Sequence, residues 1–282
     1  MLPEIEIPRV LPVSSLSLSS MSLFRRCPEK WRRRYIDGLY EPPSGPMICG
    51  SAAGAAEATN FQLKIESGVD LSTEDLLDQF ADEWNERVRR DDVAWGSDKP
   101  EALRQASQRA LETYHETIAP KVRPVSVERE FTLRFDADWT FKGYLDLEEE
   151  DGSVGDLKLK AKRLAQADAD RDPQVGTYLL AKRVEHQAGY GPAPAGFRFH
   201  TMVRTRTPVA EVIETDRSDE QLDAILHLIY ATAAEIAWRA EYDIWTGAPR
   251  DAWWCSQRTC GFWSSCPLGG KGRLIREAVL VP

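Results

Sequence analysis

The sequence predicts an α/β fold, and three observations support this class. Residues 28–118 carry apolar side chains mostly at helical spacing, for example Leu76, Phe80 and Trp84. From residue 125 the pattern changes to the two-residue alternation of β-strands. Beyond residue 172, predicted helices and strands follow one another. The chain is therefore expected to contain a mostly helical N-terminal region followed by strands and helices that share one core.

The predicted elements begin at recognisable signals. Ser72 suits an N-cap, Asp172 and Pro173 suit the start of a helix, and Ser218 with Gln221 forms a capping box. Small residues, including Gly50 and Gly54, would let a helix over 47–65 pack closely. The predicted helices cover residues 28–38, 47–65, 72–90, 97–118, 172–187 and 218–245. The predicted strands cover residues 127–135, 140–148, 154–160, 197–204 and 209–215.

The composition is that of a soluble globular protein. The chain has 282 residues, 42% apolar and 29% charged, with a net charge of −9. This balance argues against a surface coated in basic charge that binds nucleic acid indiscriminately. No apolar run approaches the ~18 residues of a membrane span, and the first nine residues do not resemble a signal peptide. We therefore expect an intracellular, cytoplasmic protein without membrane contact.

The most informative segment lies between Gly143 and Lys160, and its alternation predicts a β-hairpin. A three-residue loop over 150–152 would place Gly152 at the position that needs a left-handed backbone. In that register Asp146 lies directly opposite Asp156, whereas a two-residue turn would put the two carboxylates on opposite faces. We therefore predict the three-residue loop.

Two carboxylates opposed across a strand pair lie about 5 Å apart at Cβ and repel each other. A hard divalent cation such as Mg²⁺ removes this repulsion, and its preferred ligands are oxygens. Lys158, on the same face as Asp156, could polarise a phosphate or position a water. These groups suit metal-assisted phosphodiester hydrolysis, although an Asp-x-Lys on a strand is also common as a solvated ion pair.

A set of motifs in chain order makes the hydrolytic interpretation more specific. It consists of Glu128, Gly143-x-x-Asp146, Asp156-x-Lys158 and Gln174-x-x-x-Tyr178. In this order the motifs resemble the RecB-type nucleases of the PD-(D/E)XK superfamily. The Cys27-Pro28-x-x-Trp31 segment and the C-terminal cysteines resemble the iron–sulfur branch of that family, which includes CRISPR-associated and phage exonucleases. The resemblance implies a restriction-endonuclease-like core, a mixed sheet flanked by helices, with an N-terminal helical region and a C-terminal cysteine cluster.

The resemblance also implies roles for these residues. Asp146 and Asp156 would bind Mg²⁺ or Mn²⁺ together with the Leu157 carbonyl, and Lys158 would be the catalytic lysine. Gln174 and Tyr178 would hold the DNA backbone, and Glu128 would be a supporting acid. Relatives often carry a metal-binding histidine where this chain has Gly54. Its place would be taken by Glu57, one turn further on, or by a water molecule.

Three of the five cysteines cluster near the C-terminus, as Cys255-x4-Cys260-x5-Cys266. A tetrahedral metal site or a cubane cluster needs a fourth thiolate. Cys27 matches the position of that ligand in the family, so the resemblance implies a [4Fe–4S] cluster held by these four cysteines. Zn²⁺ at the same thiols is the alternative, and buried apolar cysteine without metal is the third reading.

The basic residues are concentrated in short segments rather than spread evenly. One segment precedes and includes the predicted helix at residue 28, and another follows Lys158 on the hairpin. A basic track within an acidic chain suits a groove that binds and releases a phosphate backbone. The predicted DNA contacts are Arg25, Arg26, Lys160, Lys162 and Arg163.

These observations predict a Mg²⁺- or Mn²⁺-dependent DNA exonuclease that acts on single-stranded ends in recombination or DNA processing, in a bacterial or phage-infected cell. Two alternatives remain: an iron–sulfur or zinc DNA-binding protein with a weakened nuclease site, and an endonuclease of the same superfamily. The expected domains are a helical region (1–122), the nuclease core (123–246) and a cysteine-rich cap (247–282) that packs on the N-terminal helix. The sequence does not indicate an oligomeric state.

Overall fold

The computed structural model describes residues 10–136, 139–249 and 251–268. The helices are α1 (Leu18–Arg26), α2 (Pro28–Tyr35), α3 (Gly45–Ser67), α4 (Thr73–Arg90), α5 (Pro100–Thr117), α6 (Gln166–Ala169), α7 (Pro173–Gln187) and α8 (Asp219–Tyr242). The strands are β1 (Ser15–Leu16), β2 (Pro124–Asp136), β3 (Trp139–Glu149), β4 (Val154–Lys160), β5 (Phe197–Val203) and β6 (Val209–Thr215).

The strands form a mixed sheet in the order β1-β3-β4-β5-β6, and β2 pairs with β3 off this path. The β3–β4 and β5–β6 pairs are antiparallel, whereas β1–β3 and β4–β5 are parallel. The parallel β4–β5 pair requires a crossover connection, which α6 and α7 supply. The α/β class and the mixed sheet flanked by helices are therefore confirmed.

The helix starts follow from local capping. The Ser72 and Asp172 side chains accept hydrogen bonds from the first turns of α4 and α7, as the sequence predicts. Ser218 and Gln221 make both bonds of the capping box at the start of α8. The serine-rich stretch contains α1, which sequence analysis missed and whose N-cap is Ser17.

The described chain divides into two compact units. The larger unit, Pro42–Leu133 and Lys142–His227, contains β4–β6 and most of β2 and β3. One face of its sheet packs on α3, α4 and α5, through residues such as Leu147 and Met202. On the other face, the Tyr178 ring of α7 contacts Phe131 and Phe197. The carboxylates and the lysine singled out in the hairpin all belong to this unit.

The described residues of the smaller unit are 10–41, 134–136, 139–141, 228–249 and 251–268. Its core is centred on Trp31 of α2, which is fully buried and contacts Phe24 and Trp245. β1 pairs with the first residues of β3 inside this unit. Within the described residues, no helix is both long and apolar enough to cross a membrane.

Candidate active site

The β3–β4 hairpin has the predicted register. Leu147 pairs with Gly155 and Glu148 with Val154, and the Glu149 amide donates to the Ser153 carbonyl. The loop is therefore the three residues 150–152, and Gly152 has φ +86°. The same register places Asp146 opposite Asp156, immediately beyond the pair of Leu147 and Gly155. There the Leu157 amide donates to Asp146 Oδ2 at 3.3 Å. The strands thus separate where the two carboxylates meet.

The two aspartates form a tightly coupled pair. Asp156 is 1% exposed, and burial raises its pKa to about 7; the Lys158 ammonium opposes this rise and the Asp146 carboxylate adds to it. Burial also raises the pKa of Asp146; the interaction with Asp156 opposes this rise and the Glu128 charge adds to it. Two like charges this close favour retention of one proton, or the arrival of a cation that replaces it.

Lys158 and Gln174 complete a small hydrogen-bonded cluster around Asp156. Lys158 Nζ lies 2.9 Å from Asp156 Oδ1 and 2.7 Å from Oδ2, and it donates to Gln174 Oε1 at 2.9 Å. Gln174 Nε2 donates to Asp156 Oδ1. Asp156 Oδ2 is buried and has no hydrogen bond of acceptable geometry. Its neighbour is the Lys158 ammonium, so a metal cation at this oxygen would take the place of that ion pair.

Tyr178 lies one turn after Gln174 on α7, and its side chain interacts with that glutamine. Burial raises the pKa of the Tyr178 hydroxyl, and the charges of Asp146 and Asp156 raise it further. The tyrosine therefore stays protonated and can donate a hydrogen bond. The structure thus brings together five predicted residues: Asp146, Asp156, Lys158, Gln174 and Tyr178.

A cleft of about 540 Å³ opens beside the carboxylates. Asp146, Leu157 and Glu128 line one side of it. The backbone of Glu128 has φ +48°, which is rare for a non-glycine residue within a strand. Burial raises the pKa of the Glu128 carboxyl, and the Asp156 charge adds to this rise. The opposite wall consists of small α3 residues and one α4 side chain: Gly50, Ser51, Gly54, Ala55, Ala58 and Arg87.

Two residues of this wall, Gly54 and Arg87, concern the predicted site. Gly54 faces the cleft, and a Cβ placed there would meet no atom within 4 Å. Arg87 was not predicted as a site residue. In the sequence, Glu83 and Arg87 have the i,i+4 spacing of an ordinary ion pair on a helix, and the structure contains that pair. Only the fold places it near Asp146.

The structure does not bring Glu57 to the cleft. Its side chain is fully buried and interacts with Asn60 and His115 instead. Burial raises the pKa of Glu57, and the hydrogen bond and charge of His115 oppose that rise. Glu57 is therefore part of a buried polar cluster of α3 and α5, separate from the residues that line the cleft.

The predicted DNA-binding residues lie at or near the surface. Lys160 ends β4 and is half-buried, whereas Lys162 and Arg163 are exposed beyond it. Arg163 Nη1 lies 3.5 Å from Glu211 Oε2. Arg25 and Arg26 are exposed in the last turn of α1, in the smaller unit.

Four cysteines, Cys27, Cys255, Cys260 and Cys266, line one pocket of the smaller unit. Burial raises the pKa of Cys27 and of Cys260, and the neighbouring Cys266 sulfur adds to the rise at both. The segment that carries these cysteines contacts α2, because Arg33 donates to the side chain and the carbonyl of Ser265. Cys49 lies in the core of the larger unit.

Neither set of residues forms a preformed metal site. Within residues 10–136, 139–249 and 251–268, no three His, Cys, Asp or Glu side chains are spaced as metal ligands. The donor chemistry nevertheless suits two different groups. The Asp156 and Asp146 carboxylates suit a hard divalent cation, and four thiols around one pocket suit a metal that prefers sulfur.

Comparison with a solved structure agrees with this fold. The chain is similar to the crystal structure of a protein described as a "Putative exonuclease" from Eubacterium rectale, with 15% identity and a TM-score of 0.59. The similarity covers 86% of this chain and 87% of that protein. No curated protein matches the chain by sequence.

The family model of the PD-(D/E)XK nuclease superfamily matches residues 15–267. This range includes the hairpin carboxylates, Lys158, Gln174 and all four clustered cysteines. Since the match spans most of the chain, the protein belongs to the PD-(D/E)XK nuclease superfamily.

Proposed function

We propose that the protein is a Mg²⁺- or Mn²⁺-dependent DNA exonuclease that acts on single-stranded ends. The observation that carries the proposal is the cluster of Asp146, Asp156, Lys158 and Gln174 where β3 and β4 separate. Membership of the nuclease superfamily supports hydrolysis of a nucleic acid. The preference for single-stranded DNA ends rests on the resemblance to RecB-like enzymes.

Asp146, Asp156 and the Leu157 carbonyl would hold the cation. When bound, a divalent cation activates water and stabilises the negative charge that develops on the phosphate. The chain prepares this site by keeping Asp156 buried with one oxygen free of hydrogen bonds. The shared proton of the aspartate pair would leave as the cation binds, because carboxylates bind metal in the deprotonated form.

Lys158 is the proposed catalytic lysine. Its ammonium is held by Asp156 and Gln174, so it occupies one position rather than sampling many rotamers. A fixed cation next to the reacting phosphate stabilises charge without reorganisation. Gln174 positions the lysine, and the protonated Tyr178 can donate a hydrogen bond to the DNA backbone.

The proposed DNA contacts are the cations beyond Lys158, namely Lys160, Lys162 and Arg163, together with Arg25 and Arg26 of α1. Their exposed or half-buried positions leave them accessible to a phosphate chain. Such contacts give affinity that falls as salt concentration rises.

The test of the activity is degradation of end-labelled linear single-stranded DNA in Mn²⁺. We expect the wild type to release nucleotides and Asp156→Asn to be inactive, because a neutral amide cannot replace a ligand carboxylate. Asp78→Asn, an exposed acid on α4, is the matched control and should keep full activity. Wild-type protein that binds the DNA but leaves it intact would instead show a DNA-binding protein. That outcome is the alternative favoured by Gly54, which supplies no ligand.

Circular single-stranded DNA separates the two nuclease alternatives. An exonuclease cannot start on a circle, so we expect the circle to stay intact while the linear strand is degraded. Cleavage of both substrates at similar rates would identify an endonuclease of the same superfamily.

We further propose that Cys27, Cys255, Cys260 and Cys266 hold a [4Fe–4S] cluster with a structural role. The support is their convergence on one pocket and the resemblance to the iron–sulfur branch of the family. Protein purified without oxygen should be brown and contain about four iron and four sulfide per chain. Stoichiometric zinc in colourless protein would replace this proposal with a Zn²⁺ site.

A further inference from the structure

One cation stands on the wall of the cleft opposite the carboxylates. Arg87, near the end of α4, is the single positively charged side chain among the described residues that line this cleft. Its Nη2 donates a hydrogen bond to Glu83 Oε2 at 2.9 Å, which restrains the guanidinium. Its Nε is buried and has no hydrogen-bond partner.

Because Arg87 lines the cleft, its guanidinium is placed to bind an anion that enters there. The remaining charges in the cleft are the carboxylates Glu128 and Asp146, and these repel an anionic substrate. The nearby cation Lys158 is already engaged by Asp156 and Gln174. Arg87, which pairs with Glu83 through Nη2, is therefore the cation on the cleft wall that a phosphate would meet on entering.

The shape of the cleft agrees with this assignment. A Cβ added at Gly50 or Gly54 would meet no atom within 4 Å, so α3 leaves open space where it lines the cleft. Ser51, Ala55 and Ala58 keep the rest of this wall short. A sugar–phosphate backbone needs such close approach, and guanidinium groups bind phosphate through paired N–H donors.

We propose that Arg87 binds a phosphate of the DNA strand next to the scissile phosphate, with the backbone running along the small-residue face of α3. The inference rests on the proposed nuclease function and names a further substrate-binding residue for it. Glu83 acts as the positioning residue for Arg87. Because the contact is with a phosphate, it should not depend on the base sequence.

The test compares Arg87→Ala and Arg87→Lys with Arg90→Ala. Arg90 is exposed on the same helix and pairs with Asp91, away from the residues that line the cleft. Binding of single-stranded oligonucleotides is measured at several salt concentrations with Ca²⁺ in place of Mn²⁺, and kcat and KM are measured with Mn²⁺. Thermal unfolding checks that each variant is folded.

We expect Arg87→Ala to weaken binding about tenfold on every sequence and to lower the salt slope by about 0.7, the value for one phosphate of a single strand. Arg87→Lys should recover part of the affinity, and Arg90→Ala should match the wild type. If the wild type degrades DNA and Arg87→Ala behaves like Arg90→Ala, the assignment of Arg87 is wrong and the nuclease proposal stands. If the wild type neither binds nor degrades DNA, the proposed function fails and the assignment fails with it.

Discussion

Glu128 combines an unfavourable backbone conformation with a position beside the proposed metal ligands. Its φ of +48° is unfavourable for a side chain with a Cβ, and the carboxyl is partly desolvated beside Asp156. No local sequence signal announces a left-handed residue inside a strand of alternating side chains. The sequence therefore predicted the acidic residue but not its strained backbone conformation.

Replacing Glu128 by glycine should separate stability from activity. Glu128→Gly relieves the positive φ, so the free energy of unfolding should rise by up to about 1 kcal/mol. Nuclease activity should fall, because a carboxyl beside the proposed metal ligands is lost. Urea unfolding and the nuclease assay measure the two effects. Glu130→Gly, on the same strand at an ordinary φ, should instead lower stability by about 1 kcal/mol; an equal loss at both positions would contradict the strain argument.

Gly54 allows an experiment in which a metal-binding side chain is added rather than removed. Its position faces the cleft beside Asp146, with open space for a side chain. Gly54→His should place an imidazole near the proposed cation site and lower the Mn²⁺ concentration for half-maximal activity about tenfold. Metal titrations of activity and calorimetry of Mn²⁺ binding measure this change. Ala58→His, one turn further along the same wall, is the control, and equal metal affinity in both variants would contradict the proposed ligand set.

At the scale of elements, the hairpin was predictable because its register is determined by a few local features. The side-chain alternation fixes the strands, and Gly152 supplies the left-handed residue of a three-residue loop. Together they place Asp146 opposite Asp156 without knowledge of the rest of the fold. In contrast, α1 was missed, because serines and a hydrogen bond to the Ser17 hydroxyl start it rather than a strong apolar pattern.

The same hairpin gives a prediction about stability. Gly152 has φ +86°, and a Cβ there would lie 3.2 Å from the Ala193 carbonyl oxygen. Gly152→Ala should lower the free energy of unfolding by about 1–2 kcal/mol, whereas Gly152→Asn, which tolerates this region better, should lose less. Gly50→Ala, on a helix in open space, should cause no loss. Chemical denaturation of the three variants checks this order, and a stable Gly152→Ala would contradict the assigned turn.

An ion-pair network joins β2, β3 and α7. The Glu148 carboxylate is buried and accepts hydrogen bonds from Arg129, Lys182 and Ser126. Burial alone would raise its pKa, but these donors outweigh burial and lower the pKa of Glu148 to about 2. Because the folded-state pKa lies below the unfolded value of about 4.5, the network stabilises the protein above that pH.

This stabilisation should be lost as the pH falls from about 4.5 towards 2. The shift corresponds to about 3 kcal/mol of unfolding free energy. Glu148→Gln should lower stability at pH 7 and flatten the decline over this acid range, as measured by thermal unfolding at a series of pH values. Glu150→Gln, an exposed neighbour, should keep the wild-type dependence. A Glu148→Gln curve parallel to that of the wild type would show that other groups cause the acid sensitivity.

At the scale of the whole molecule, the net charge of −9 is a poor guide to the partner. The acidic total includes carboxylates that face the candidate site, and cations such as Arg87 and Lys158 lie among them. The site itself combines residues from α3, α4, β2, β3, β4 and α7. Motif order predicted the hairpin and α7 contributions, but Arg87 belongs to no motif. Its place follows only from how α4 packs on α3.

The cysteine pocket gives the last prediction, which concerns the chain as a whole. A metal held by Cys27 and Cys255 would close a covalent loop of more than 200 residues. Closing a loop of this length can stabilise the folded state by about 5 kcal/mol through the entropy of the unfolded chain. Cys27→Ala and Cys266→Ala should therefore lose bound metal and lower the Tm, as measured by elemental analysis and calorimetry. Cys49→Ala, in the core of the larger unit, should keep the full metal content. Since the four-thiol site needs Cys27 from the far end of the chain, full metal content in Cys27→Ala would disprove this ligand set.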